Sequence, residues 1–279
     1  MSALIAIEAT GRTLDIEYAY VGDNNPDAPL IVFLHEGLGS VAMWRDFPQR
    51  LCDRVGVRGL VYSRPGYGRS TPRRTDEHWA VDFMHIEARD VLPSLLHALN
   101  IDSPAWLFGH SDGGSIALIH AAMFPNNVSG VIALAPHLFV EDVSVKSIEK
   151  TRETYLTPPP KALAESSPTA SFKSKLARFH NDVDSAFWGW NDIWLDPTFR
   201  AWNIESLLPH IRCPVLAIQG VDDEYGTMAQ IDRIALAVPN TQLVALDRCG
   251  HSPHRDQPDA VIDAVIDAVQ KIITERPPQ

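Results

Sequence analysis

The segment Gly109-His110-Ser111-Asp112-Gly113-Gly114 lies between an apolar run, Ala105-Trp106-Leu107-Phe108, and an apolar-rich stretch from Ser115 to Phe124. A serine on so tight a strand-to-helix turn needs a strained backbone, and only neighbours without side chains leave room for the helix to pass the strand. The segment therefore requires a fold in which a strand feeds directly into a helix, and it presents Ser111 as a nucleophile.

The rest of the chain repeats that unit. Strand-type runs fall at Leu4 to Ala9, Thr13 to Tyr20, Leu30 to Leu34, Val57 to Tyr62, Ala105 to Phe108, Val128 to Leu134, Val215 to Ile218 and Gln242 to Leu246. Helical patterns fall at Met43 to Arg54, Met84 to Asn100, Asp112 to Phe124, Thr227 to Val238 and Pro258 to Thr274, with Pro125, Pro239 and Pro277 close behind three of them. A hairpin followed by repeated β-α units predicts an α/β fold with a mostly parallel eight-stranded sheet covered by helices on both faces. From about Val140 to Glu205 the rhythm breaks, with Pro158-Pro159-Pro160 and the aromatic-rich Phe187-Trp188-Gly189-Trp190-Asn191-Asp192-Ile193-Trp194. Residues 140–205 are expected to form a helical cap inserted into a core made of residues 1–139 and 206–279.

Composition narrows the partners. A formal net charge of -11, with no Lys/Arg cluster, argues against a nucleic-acid backbone. No window reaches the roughly 18 apolar residues of a membrane span, and the short apolar patch Ala3 to Ile7 has no basic region before it. Cys52, Cys213 and Cys249 are scattered without metal-type spacing and read as reduced core thiols, so the expected location is the cytoplasm. His251-Ser252-Pro253-His254 has no third ligand in sequence, and no metal is expected there.

A serine hydroxyl needs a base, usually a histidine oriented by a carboxylate. Both are present downstream: the run Val215 to Ile218 leads into Gly220-Val221-Asp222-Asp223, and the last strand leads into Cys249-Gly250-His251. Sites in parallel sheets form beyond the carboxyl ends of strands, so Ser111, Asp223 and His251 are expected to converge. The backbone N-H of Asp112, at a helix N-terminus just after the nucleophile, is the first expected oxyanion donor.

The order serine, aspartate, histidine and the Gly-x-Ser-x-Gly turn resemble the α/β-hydrolase superfamily over nearly the whole chain outside the cap. The resemblance places the acid three residues after the strand's closing glycine and about 28 before the histidine, which selects Asp223 over Asp222. It also implies a second oxyanion donor after the third strand, where His35-Glu36-Gly37-Leu38-Gly39-Ser40 aligns on Gly37 and nominates the Leu38 N-H. Glu36 stands where the family usually has histidine. The loop Ser63-Arg64-Pro65-Gly66-Tyr67-Gly68-Arg69-Ser70 resembles another family turn, usually opened by Asp, and is assigned a structural role. A competing dinucleotide fingerprint, Gly37-Leu38-Gly39-Ser40-Val41-Ala42, has Tyr62-Ser63-Arg64 where the acidic ribose ligand is expected, an arginine that would suit a phosphorylated ribose, but it explains neither Ser111 nor His251.

Within the superfamily, Gly-x-Ser-Asp-Gly-Gly, the Arg64 to Ser70 turn and Phe139-Val140-Glu141-Asp142 resemble the biphenyl-hydrolase-like group that includes valacyclovir hydrolase. That resemblance implies a role for Asp112, with Glu36, in pairing with the amino group of an aminoacyl ester. Trp188 and Trp190 are expected to line an apolar acyl or alcohol pocket. The expected activity is a cofactor-free serine hydrolase acting on small to medium carboxylic esters, with lactones, thioesters, carbon-carbon bonds and a non-catalytic receptor as alternatives.

Overall fold

The computed structural model describes residues 2–157 and 171–275. Its centre is an eight-stranded sheet of order β1-β2-β4-β3-β5-β6-β7-β8. β1 (Ala3–Ala9) and β2 (Arg12–Gly22) form a hairpin turned by Thr10 and Gly11, both at positive φ as a tight hairpin turn requires. β2 pairs antiparallel with β4 (Arg58–Tyr62). From there across β3 (Leu30–Leu34), β5 (Ala105–His110), β6 (Val128–Leu134), β7 (Val215–Gly220) and β8 (Thr241–Leu246) every pairing is parallel.

The period of two along each central strand divides the core into two layers. Val32, Leu34, Val131 and Ala133 join helices Leu92–Ala98 and Asp112–Met123 on one face. Ile31, Phe33, Ile132 and Leu134 join Phe47–Val55 and Pro258–Glu275 on the other. Burying such a side chain contributes about 1.5–3 kcal/mol, so continuous apolar strands are what a doubly covered sheet needs.

Two helices differ from the sequence pattern, both because of proline. The stretch expected as Met43 to Arg54 is a 3-10 turn, Val41–Trp44, then a helix, Phe47–Val55, with Pro48 in its first turn, where a missing N-H costs nothing. The stretch expected as Met84 to Asn100 runs Phe83–Ile86, then a π-helical turn Glu87–Val91, then Leu92–Ala98. Pro93 accounts for the widened turn, since its ring would meet the carbonyl four residues back in an α-helix.

Between β6 and β7 the chain leaves the sheet for helices Asp142–Leu156, Phe172–Leu176 and Val183–Leu195 and 3-10 turns Pro197–Ala201 and Glu205–His210. This helical insertion lies over the carboxyl ends of the strands, where Ile148, Phe172, Leu176, Trp190 and Trp194 line the same cleft as Ser111. Pro158-Pro159-Pro160 and Pro277 lie outside the described residues. No helix among the described residues is long and apolar enough to cross a membrane.

Candidate active site

Four neighbouring strands deliver four side chains to one place. Ser111 follows β5, His137 follows β6, Asp223 follows β7 and His251 follows β8. Parallel register makes this possible, because Gly109 faces Ala133, Leu134 faces Ile218 and Gly220 faces Leu246, so the strands end level with one another.

Ser111 sits at φ 53, ψ -120, a conformation that side chains avoid, immediately before the helix Asp112–Met123. The turn closes because Gly113 has no side chain: a Cβ there would lie 2.1 Å from the Leu34 carbonyl oxygen. At the neighbouring strand end, a Cβ on Gly220 would lie 2.2 Å from the Cys249 carbonyl oxygen, which brings the loop after β7 against the loop carrying His251.

Ser111 Oγ lies 2.9 Å from His251 Nε2, and His251 Nδ1 lies 2.9 Å from both carboxylate oxygens of Asp223. Asp223 also accepts from the backbone N-H of Tyr225 at 2.8 Å and from Gln219 Nε2 at 2.7 Å. Burial opposes its ionisation, but the His251 imidazole and the Tyr225 N-H outweigh that and hold its pKa below the usual carboxylate range. His251 is steadied from behind, where His110 Nε2 donates to its carbonyl at 2.7 Å. Asp222 is fixed in the turn by its backbone, donating to the Cys249 carbonyl at 3.0 Å.

The loop after β3 is pinned on three sides. His35 Nδ1 donates to the Glu36 carbonyl at 2.7 Å and its Nε2 accepts from the Arg64 N-H at 3.0 Å. Arg64 Nη2 donates to the same Glu36 carbonyl at 2.9 Å. His180, from the insertion, donates to the Leu38 carbonyl and accepts from the Gly68 N-H, each at 3.0 Å. A single 3-10 turn follows this loop, in place of the long helix that a dinucleotide site requires. The 63–70 turn hangs on buried Glu17, which accepts from Ser63 Oγ at 2.8 Å and from the Arg69 N-H at 2.9 Å.

The cleft above Ser111 has a volume of about 260 Å³ and is walled by Trp190, Trp194, Ile148, Tyr225 and Leu38. Trp188 differs from expectation: it lines a separate cavity with Trp79 and Asp192, and Arg152 stacks on its ring at 5.3 Å. Helical geometry gives the reason, since Trp190 and Trp194 are four residues apart on one face of Val183–Leu195 while Trp188 points away. Glu36 reaches the cleft, but Arg255 pairs with its carboxylate at 3.0 Å. Burial works to raise the Glu36 pKa, yet His110, 3.6 Å away, and Arg255 hold it well below the usual range.

Asp112 is fully buried beneath the cleft. Trp194 Nε1 donates to its Oδ1 at 3.1 Å, and Arg64 Nη2 approaches Oδ2 at 3.7 Å. Burial raises its pKa to about 6, against the opposing pull of Arg64 and Trp194.

Residues 31–264 match the profile of the Alpha/beta hydrolase family. The chain belongs to the alpha/beta hydrolase family. This hydrolase is 24% identical over 207 residues to the serine hydrolase BPHL of Homo sapiens, covering 70% of this chain and 63% of the human one. It is 24% identical over 272 residues to the 2-hydroxy-6-oxononadienedioate/2-hydroxy-6-oxononatrienedioate hydrolase of Cupriavidus pinatubonensis, covering 89% of each. Its fold matches the enol-lactonase of Burkholderia xenovorans LB400 with a TM-score of 0.70 at 22% identity, over 97% of this chain and 100% of that one.

Several residues of the hydrolase site carry no local signal in sequence. His137 reaches Ser111, Arg64 reaches Asp112, His180 ties the insertion to the loop after β3, and Arg255 neutralises Glu36. Each is 26 or more positions from its partner. A motif reading sees neighbours along the chain, and only the strand register brings these pairs together. Among the described residues, no group of His, Cys, Asp and Glu side chains forms a metal-holding cluster.

Proposed function

We propose that this alpha/beta hydrolase is a serine esterase that cleaves small to medium carboxylic esters through an acyl-enzyme and needs no cofactor to do so. The observation that carries the reading is the continuous relay Asp223, His251, Ser111, joined by contacts of 2.9 Å. Asp223 fixes the Nδ1-H tautomer of His251, leaving Nε2 to take the Ser111 proton as Oγ attacks the acyl carbon. The same imidazolium then protonates the departing alcohol, and water repeats the sequence to free the acid.

The tetrahedral oxyanion is received by the backbone N-H of Asp112 and, from the loop after β3, by that of Leu38. Asp112 opens a helix, so its N-H lacks an intrahelical acceptor and lies at the positive end of the dipole. The His180 and Arg64 bonds to the Leu38 and Glu36 carbonyls preorganise that loop before substrate arrives.

Substrate class follows from the walls. Apolar Trp190, Trp194, Ile148 and Leu38 suit an uncharged acyl or alcohol group, and among the described residues that line the cleft Glu36, Asp112 and Glu224 are accompanied by one Arg or Lys, Arg255, already paired. That balance disfavours a dianionic substrate such as the one in the Cupriavidus relative's name. A second reading, an amine-bearing acyl group held by Asp112, is favoured by the position of Asp112 beside the cleft and by its Oδ2, which has no hydrogen-bond partner.

A fluorophosphonate probe and a panel of aminoacyl, short acyl, aryl, lactone and thioester substrates test the proposal. The protein should be labelled and turn over esters, while Ser111→Ala loses labelling and at least about 10⁴-fold in turnover. Undiminished ester turnover by pure Ser111→Ala would refute it.

A further inference from the structure

The Asp223-His251 pair does not complete the surroundings of the nucleophile. A second imidazole touches it: His137 Nε2 lies 3.4 Å from Ser111 Oγ. His137 lines the cleft, is 2% exposed, and its Nδ1 has no hydrogen-bond partner.

This histidine is held in place from three directions. Its backbone N-H donates to Ser115 Oγ at 3.0 Å, and Ser115 Oγ donates back to its carbonyl at 2.7 Å. Ser115 is one turn along the helix that Ser111 opens, so nucleophile and second imidazole share one rigid support. The ring packs edge-on against Trp194 at 4.8 Å, and Ala135, two residues earlier, is held at φ 45, a strain that the surrounding fold must maintain.

Where its proton sits follows from the partners. A neutral imidazole carries one N-H, and an orphaned buried N-H costs more than an orphaned acceptor nitrogen. On Nδ1 the hydrogen would face no acceptor. On Nε2 it faces the Ser111 oxygen, whose own hydrogen is directed to His251. Burial, with the neighbouring His251 charge, lowers the pKa of His137 to about 3, so it stays neutral while His251 cycles. Without a carboxylate partner on Nδ1 it is a poor base.

We infer that His137 is a further catalytic residue, an Nε2-H donor to the serine oxygen that assists deacylation. The inference rests on Ser111 being the nucleophile. In deacylation water attacks the acyl carbon and gives its proton to His251. The tetrahedral intermediate then collapses, the bond from the acyl carbon to Oγ breaks, and Oγ takes the proton back from the His251 imidazolium as the acid leaves. His137 keeps its proton throughout. Its hydrogen bond, long at rest, strengthens as negative charge gathers on Oγ. Oγ also gathers charge as it attacks in acylation, but there it starts as a hydroxyl oxygen already in contact with His137. In deacylation it starts as an ester oxygen, a weaker acceptor, so the contact gains more in deacylation and the two steps should respond unequally.

The experiment is pre-steady-state release of p-nitrophenol from a p-nitrophenyl ester, normalised to fluorophosphonate-titrated sites so that only folded protein is counted. His137→Phe keeps a ring against Trp194 without a donor. It should slow release of the first equivalent less than it slows turnover, which should fall about tenfold, the value of one hydrogen bond to a charged oxygen, with an acyl adduct on Ser111 in the intact mass. His137→Gln, which places an amide N-H near the former Nε2, should restore turnover. Equal loss of acylation and turnover in both variants, or no loss in either, overturns the inference. Isotope-edited NMR of the histidine ring nitrogens in the unsubstituted protein should find His137 in the Nε2-H form near neutral pH. An Nδ1-H tautomer overturns the inference even where His137→Phe does not fold. Absence of labelling in the unsubstituted protein would instead remove the nucleophile, and with it the role of His137.

Discussion

Arg64 and Asp112 meet 3.7 Å apart beside Ser111, with side chains 1% and 0% exposed. The pair links two loops, since Arg64 also donates to the Glu36 carbonyl. Removing one partner of a buried pair leaves the other charge without compensation, at a typical cost of about 3–5 kcal/mol. Arg64→Met should therefore lower stability by that order in urea unfolding. The double variant Arg64→Met, Asp112→Asn should lose less than the sum of the two single changes, and strict additivity would show that the pair is not coupled.

Asp112→Asn separates the two readings of substrate. If the carboxylate holds an amine, the ratio of aminoacyl to plain acyl ester rates should fall about tenfold or more, the value of one charge-assisted contact. An unchanged ratio would show that Arg64 and Trp194 are its only partners, and the hydrolase would then be selective for uncharged acyl groups.

Asp223→Asn retains the shape of the relay but allows His251 to adopt the wrong tautomer. Turnover should fall about 10⁴-fold while the protein still melts cooperatively. Comparable turnover with Asp222→Asn inactive would reassign the acid to its neighbour.

Acid should unfold the protein through its histidines. His35, His137 and His254 are buried, and burial lowers the pKa of each well below the usual 6.5. In the unfolded chain they take up protons as pH falls through about 6.5, and in the folded chain they do not. Their contribution is thus fully present above that value and is lost as pH falls toward their folded pKa values. Three protons bound on unfolding correspond to about 4 kcal/mol per pH unit near pH 5. Urea unfolding measured between about pH 6.5 and 4.5 reads that slope directly, and a flat profile would mean that these rings are protonated in the fold.

The sequence by itself determined the eight strands, the elbow at Ser111 and the spacing to Asp223 and His251, because each is written in local terms: an apolar period of two, glycines beside a strained serine, a strand that ends in a turn. The bends at Pro48 and Pro93 were present as residues, but how a helix absorbs a proline depends on what packs against it. Tertiary structure alone decided that Asp112 is paired with Arg64, that Glu36 belongs to Arg255, that Trp194 faces the cleft in place of Trp188, and that His137 touches Ser111. The charge and proton position of a buried group are set by whatever the fold brings within a few ångströms, and those neighbours come from other strands and from the insertion.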